Sequence, residues 1–209
     1  MNKILALAVL AAALPFAAQA ESNVSTTAAS AKLNFKVVVP KVIFLQVGTG
    51  TMMGANATTN TLSFDVPAGA VGNGAAVAAT GGDVGAGGNG VTVRVFGNNG
   101  NVTLNNSVTG PLRNAANSQS IPWSDIAVTP AALTSATTGW TNGTIAHPAF
   151  ATGTSGGSGA AVTLNASNGV VRQEGMWTFA YANTALVGAG TYGATGGTEG
   201  VVTYTATQP

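Results

Sequence analysis

Few side chains in this sequence can move a proton, attack a carbon or hold a metal. The 209 residues contain one histidine, His147, no cysteine and six carboxylates. Gly153-Thr-Ser-Gly-Gly157 has the letters of a serine-nucleophile elbow, G-x-S-x-G. That elbow works when a strand and a helix flank a strained turn and a later histidine takes the serine proton. Here His147 precedes Ser155 and no helical pattern follows, so a flexible turn is expected. Gly85-Ala-Gly-Gly-Asn-Gly90 spells G-x-G-x-x-G. A dinucleotide site needs such glycines after a strand and opening a helix, whose N-terminus meets the phosphates. This run instead precedes a strand, and a loop is expected.

The acids Asp65, Asp83, Asp125, Glu174 and Glu199 are scattered. Two of them meeting in space could form a glycosidase pair, but isolated acids are ordinarily solvated turn or edge charges, and that is the expectation. Asp83 lacks the closely spaced acidic partners of a calcium loop. His147 has no second histidine or cysteine with which to bind metal; before Pro148 it is expected to cap a turn or pack under a loop. No catalytic residue, metal or cofactor is therefore assigned. A non-enzyme is expected, with a secreted hydrolase the least favoured class. Trp123 and Trp140 are candidate binding aromatics, and Trp140, within Thr-Thr-Gly-Trp-Thr-Asn-Gly-Thr, is expected to be exposed. Trp177, Phe179 and Tyr181 fall at period two, which is how one buried strand face is written.

The elements that would position these residues are strands. Residues 1–20 read as an export signal: Lys3, an apolar run from Ile4 to Leu14, Pro15, and the cleavage site Ala18-Gln19-Ala20. The run is shorter than the roughly 20 residues of a membrane span, so the mature chain, beginning at Glu21, is expected to carry no integral span. Removing Lys3 leaves the acidic and basic residues in balance, which offers no charged face for nucleic acid or anionic lipid. Without cysteine, an exported fold rests on its core alone.

Residues 21–31 read as an extended polar arm. Leu33, Phe35, Val37 and Val39 then alternate with Lys32, Asn34 and Lys36, the period of a half-buried strand. Pro40 interrupts, and Val42 to Val47 resumes. Further strands are expected at 61–66, around 75–80, at 91–96 and 101–106 (a hairpin about Gly97-Asn-Asn-Gly100), at 121–128, 161–166, 170–172, 176–181 and 200–206. Thr129 to Gly143 is expected to be mostly loop, with a short helical turn at 130–133. Val102-Thr-Leu-Asn-Asn-Ser107 is echoed by Val162-Thr-Leu-Asn-Ala-Ser167, too briefly to mark a repeat architecture. Many short strands joined by Gly, Asn and Pro predict an all-β chain. The expected form is a single antiparallel sandwich over 21–209, immunoglobulin-like or jelly-roll-like, with long Gly/Ala/Thr-rich loops. The aromatics, 6% of residues, are too few for the two girdles of an outer-membrane barrel.

The signal, the stretch Lys32-Leu-Asn-Phe-Lys-Val-Val-Val-Pro-Lys-Val-Ile-Phe-Leu-Gln-Val47 and the Gly-rich, then alternating end from Gly190 to Pro209 resemble bacterial fimbrial-type, pilin-like secreted sandwiches. The chain departs from disulfide-containing pilins in having no cysteine, and it lacks a penultimate Tyr, since Tyr204 is followed by Thr-Ala-Thr-Gln-Pro. The resemblance implies an exported structural or cell-surface subunit, periplasmic, surface-bound or extracellular. Its partners would be copies of itself or another surface subunit. By its own alternation, the segment Leu33, Phe35, Val37, Val39 either completes its own sheet or is the candidate for exchange, since a strand added to a neighbour's open sheet edge gains main-chain pairing and side-chain pockets together. The alternative is an extracellular adhesin or carbohydrate-binding module that takes glycan at Trp123 and Trp140.

Overall fold

The computed structural model describes residues 22–193 and 200–209. The export signal, Glu21, and residues 194–199 of the C-terminal motif, Glu199 among them, lie outside the described residues. Two units divide at Pro40. Residues 22–40 form no strand and are exposed throughout. The strand expected at 32–39 is thus absent from the single chain, and the segment outside the body extends to Pro40. The alternation of those residues prescribes an apolar face, but a strand also needs a hydrogen-bonded neighbour.

The body, 41–209, is all β. Its strands are β1 (Ile43–Val47), β2 (Val77–Ala78), β3 (Gly90–Gly97), β4 (Val102–Val108), β5 (Leu112–Arg113), β6 (Ser120–Ile121), β7 (Ile126–Ala131), β8 (Thr141–Asn142), β9 (Gly157–Ser158), β10 (Val162–Leu164), β11 (Val171–Tyr181) and β12 (Val202–Thr207). One sheet runs β1-β3-β11, with β7 antiparallel on the far edge of β11; β2 and β8 also pair with β11. The second sheet runs β10-β4-β12, with β9 beside β4. The buried rows Val91, Val93, Val95 and Val171, Trp177, Phe179, Tyr181 of the first sheet join Val102, Leu104, Val108 and Leu164 of the second in one core.

With β10 and β9 beside β4 set apart, the strands β1-β3-β11-β7 and β4-β12 follow the ABED and CF order of an immunoglobulin sandwich, in which a seventh strand, G, would lie beside F. No such strand flanks β12 among the described residues. Within β11, Gly175 is required by close approach: a Cβ there would lie 2.4 Å from the Gly143 carbonyl oxygen and 2.9 Å from that of Ala131.

Four local expectations change. Residues 91–96 and 101–106 are strands, but β3 and β4 belong to different sheets. The turn at Asn98–Gly100, with Gly100 at φ 88, is a corner between sheets and not a hairpin. The segments 170–172 and 176–181 are one strand, β11. The helical turn expected at 130–133 is replaced by the end of β7, where Pro130 sits in an edge strand that can forgo its N–H. Residues 61–66 reach only a single bridge, Ser63 to Thr80, although Leu62, Phe64 and Val66 do pack against the core.

Candidate functional site

On the arm, Leu33, Phe35, Val37 and Val39 are 73%, 87%, 86% and 74% exposed. Residues of that type, spaced by two, ordinarily sit on the covered face of a strand. One edge of the body is less well covered than the strand beside it. The core-facing residues of β4, Val102, Leu104, Asn106 and Val108, are buried, whereas those of its neighbour β12, Val202, Tyr204 and Ala206, are half-buried. Leu45 and Val47 of β1 are also only partly covered.

The start of β1 and the end of β12 are tied together. Gln208 donates through Nε2 to the Val42 carbonyl at 3.0 Å and accepts through Oε1 from the Asn99 N–H at 3.1 Å. The Val42 N–H reaches Asn98 Oδ1 at 2.7 Å, and the Lys41 ammonium donates to the Pro209 carbonyl.

His147, Glu174 and Asp83 are committed to structure. The imidazole of His147 lies 4.6 Å, centroid to centroid, from both Phe150 and Trp177, and its Nε2 is 2.7 Å from the Tyr204 hydroxyl. This is the packed histidine expected, half-buried among aromatic rings in an irregular segment. Burial lowers its pKa to about 4 and pushes the Tyr204 hydroxyl up, so both are neutral at pH 7. The unfolded chain therefore binds the His147 proton more readily than the folded one. Stability from this group is complete above pH 6.5 and is lost as pH falls from 6.5 towards 4, by about 3 kcal/mol in total. Urea unfolding across pH 4–7 should show this slope in the native protein and its loss in His147→Gln.

Glu174, expected as a solvated charge, is fully buried. It stands opposite Arg94 on β3, with Gln46 of β1 next in the row. Arg94 Nε donates to Glu174 Oε2 at 2.9 Å, and its Nη1 to Gln46 Oε1 at 3.2 Å. The Thr137 N–H donates to Glu174 Oε1 at 2.5 Å. Burial alone would raise the carboxyl; the hydrogen bonds from Thr137 and the Arg94 guanidinium outweigh it and hold the pKa below its ordinary value. Arg94 is the one charge in a largely apolar strand, β3, and Glu174 is the one acid in β11.

Asp83 Oδ1 accepts the Thr92 N–H at 2.8 Å. Ser155 is exposed in a loop, while the Nε2 of His147 is engaged by Tyr204. Within residues 85–90, Ala86–Gly88 form a short 3-10 turn ahead of β3, with no α-helix after it. Among the described residues no three His, Cys, Asp or Glu converge on a metal site, and no helix is long and apolar enough to cross a membrane.

The two candidate tryptophans are not brought together, and each is 7% exposed. Trp140 is a correction: it lies under the Arg172 guanidinium, 5.3 Å from the ring, and its Nε1 donates to Met52 Sδ at 3.1 Å. Its polar sequence neighbours gave no sign of these distant covers. Trp123 donates to the Gly110 carbonyl at 2.6 Å and packs on Phe150. It lines a cleft of about 440 Å³ beside β7 with Ile126, Val128, Pro130 and Phe150. No protein-family model, curated protein or solved structure matches the chain.

Proposed function

We propose that this chain is an exported structural or cell-surface subunit, of fimbrial or pilin-like type, that assembles with its own kind by lending residues 32–39 as a β-strand. One observation carries the reading: Leu33, Phe35, Val37 and Val39, a strand's apolar face by spacing, stand 73–87% exposed. Uncovered apolar surface of that kind marks an interaction site, and strand addition supplies affinity through the main chain and selectivity through alternate side chains. Low charge and abundant Thr, Asn and Gly suit a protein whose surfaces meet copies of itself. The signal-like residues 1–20 support an assembly outside the cytoplasm. No catalytic role is assigned, because the histidine and the buried carboxylate are both engaged in packing.

The test is self-association of residues 21–209, read by gel filtration, SDS-resistant laddering and negative-stain microscopy. Filaments or ladders are expected from the native chain and are lost in the Phe35→Asp/Val37→Asp variant, while near-UV circular dichroism of the body stays unchanged. Ladders of equal length from that variant would refute the reading. A strictly monomeric native chain that binds glycans on an array would replace it with the adhesin.

A further inference from the structure

We propose that the cleft beside β7 binds a small, uncharged aromatic molecule carrying one hydroxyl, a phenol in the simplest case. Trp123 and Phe150 receive its ring, and His147 Nδ1 bonds its hydroxyl. The site is built from the body alone and does not depend on strand lending.

Period two along β7 turns Ile126, Val128 and Pro130 to one side. That row is one wall of the cleft, and the irregular segment 146–152 supplies the other, with His147 and Phe150. The volume of about 440 Å³ lies within the roughly 300–1,000 Å³ of small-molecule sites. Trp123 joins the lining with its indole N–H already held by the Gly110 carbonyl at 2.6 Å. Its ring is therefore oriented before a guest arrives, which lowers the entropy lost on binding.

Charge and ring geometry select the guest. Among the described residues, the lining holds no Asp, Glu, Lys or Arg, and burial keeps His147 neutral at pH 7. A charged guest would lose its hydration with no counter-charge to meet it, so the guest is uncharged. Trp123 and Phe150 stand 4.9 Å apart at 36°, and His147 meets Phe150 at 4.6 Å and 63°. Phe150 is only half-buried. A further ring can join such a cluster by its edge or by an offset face, gaining more than its buried area alone supplies.

The hydroxyl follows from the free nitrogen of His147. Nε2 is engaged by the Tyr204 hydroxyl, and among the described residues Nδ1 has no hydrogen-bond partner. If the Tyr204 O–H donates to Nε2, Nδ1 carries the ring proton and donates to the guest's oxygen; in the other tautomer Nδ1 accepts the guest's O–H. A hydroxyl satisfies both cases, whereas an ether or ketone satisfies only the first. Phenylalanine would fill the same ring-lined place without a polar group to desolvate. A ring nitrogen left free at an apolar cleft is the kind of polar group that orients a ligand.

Isothermal titration of residues 21–209 with p-cresol, toluene, p-toluate and methyl glucoside tests the site. The expected result is p-cresol bound with a dissociation constant below about 1 mM. It should bind roughly three- to tenfold more tightly than toluene, the effect of one hydrogen bond, and about tenfold or more above p-toluate and methyl glucoside. Ala149 is exposed and lines the cleft, so Ala149→Trp fills the space from its rim. That variant should keep the native urea midpoint and lose about tenfold in p-cresol affinity. His147→Phe keeps a ring and removes the nitrogen, so p-cresol and toluene should become equal, a change in selectivity that packing alone does not produce. Absence of binding by both p-cresol and toluene at millimolar concentration overturns the site, as does binding unchanged in Ala149→Trp. Tighter binding of p-toluate or of the glucoside overturns the ligand class, and selectivity that survives His147→Phe overturns the role of Nδ1. The Phe35→Asp/Val37→Asp variant should bind p-cresol as the native chain does; a loss of binding there would overturn a site built from the body alone.

Discussion

Trp177→Ala is expected to cost about 4 kcal/mol, a large share of the roughly 5–15 kcal/mol that holds a domain together. Trp177 is fully buried at the centre of β11, the strand against which β3, β7, β2 and β8 are all laid. Its ring lies 4.6 Å from His147 and 5.2 Å from Tyr204, centroid to centroid, so it joins the first sheet to β12 of the second. Its Nε1 donates to the Ile145 carbonyl at 2.7 Å, which holds an irregular, buried segment in the core. Alanine would open a cavity among rings that cannot collapse freely and would leave that carbonyl without its donor. Trp177→Phe keeps most of the volume and loses the hydrogen bond, so about 2 kcal/mol is expected from it. Urea midpoints at constant m should fall in the order native, Trp177→Phe, Trp177→Ala. A midpoint for Trp177→Ala within about 1 kcal/mol of native would mean that this contact between sheets is not what holds β12 in place.

The strands with the cleanest alternation were legible because period two is a local property. β3, β11 and β12 each alternate over several residues, and the burial of Trp177, Phe179 and Tyr181 follows from their spacing. What local pattern does not carry is the partner. The Asn-Asn-Gly turn after β3 suits a hairpin and a corner between sheets equally well; the corner forms because Val91, Val93 and Val95 on one side and Val102 and Leu104 on the other all need burial, and facing sheets bury both rows. The arm at 32–39 shows the same limit, since alternation states that a face wants cover without saying whose. Trp140 was misjudged because its covers, Arg172 and Met52, are distant in sequence. Glu174 was misjudged because a lone acid reads as solvated until a lone arginine is found opposite it on the next strand.

Glu174→Ala and Arg94→Ala should each cost about 3–4 kcal/mol, because each leaves the other charge without its partner away from water. The Glu174 side chain is 0% exposed and that of Arg94 is 18% exposed. The two variants differ in their response to pH. In the native protein the folded Glu174 pKa lies below its ordinary value, so the carboxylate contributes stability above the unfolded carboxyl pKa and loses it as pH falls through the folded one. In Arg94→Ala burial remains while the guanidinium is gone, and the Glu174 carboxyl shifts upward. That variant should be furthest from native at pH 7 and approach it as pH falls towards 4, where the carboxyl takes a proton. Glu174→Ala has no carboxyl left to neutralise and should show no such convergence. The pair itself is not indispensable, since replacing both members with apolar side chains of similar size removes both desolvation costs. Arg94→Met/Glu174→Leu should therefore be more stable than either alanine variant, and in the cycle closed by the single variants Arg94→Met and Glu174→Leu a coupling of about 2–3 kcal/mol is expected. Strictly additive losses would show that the two charges act independently.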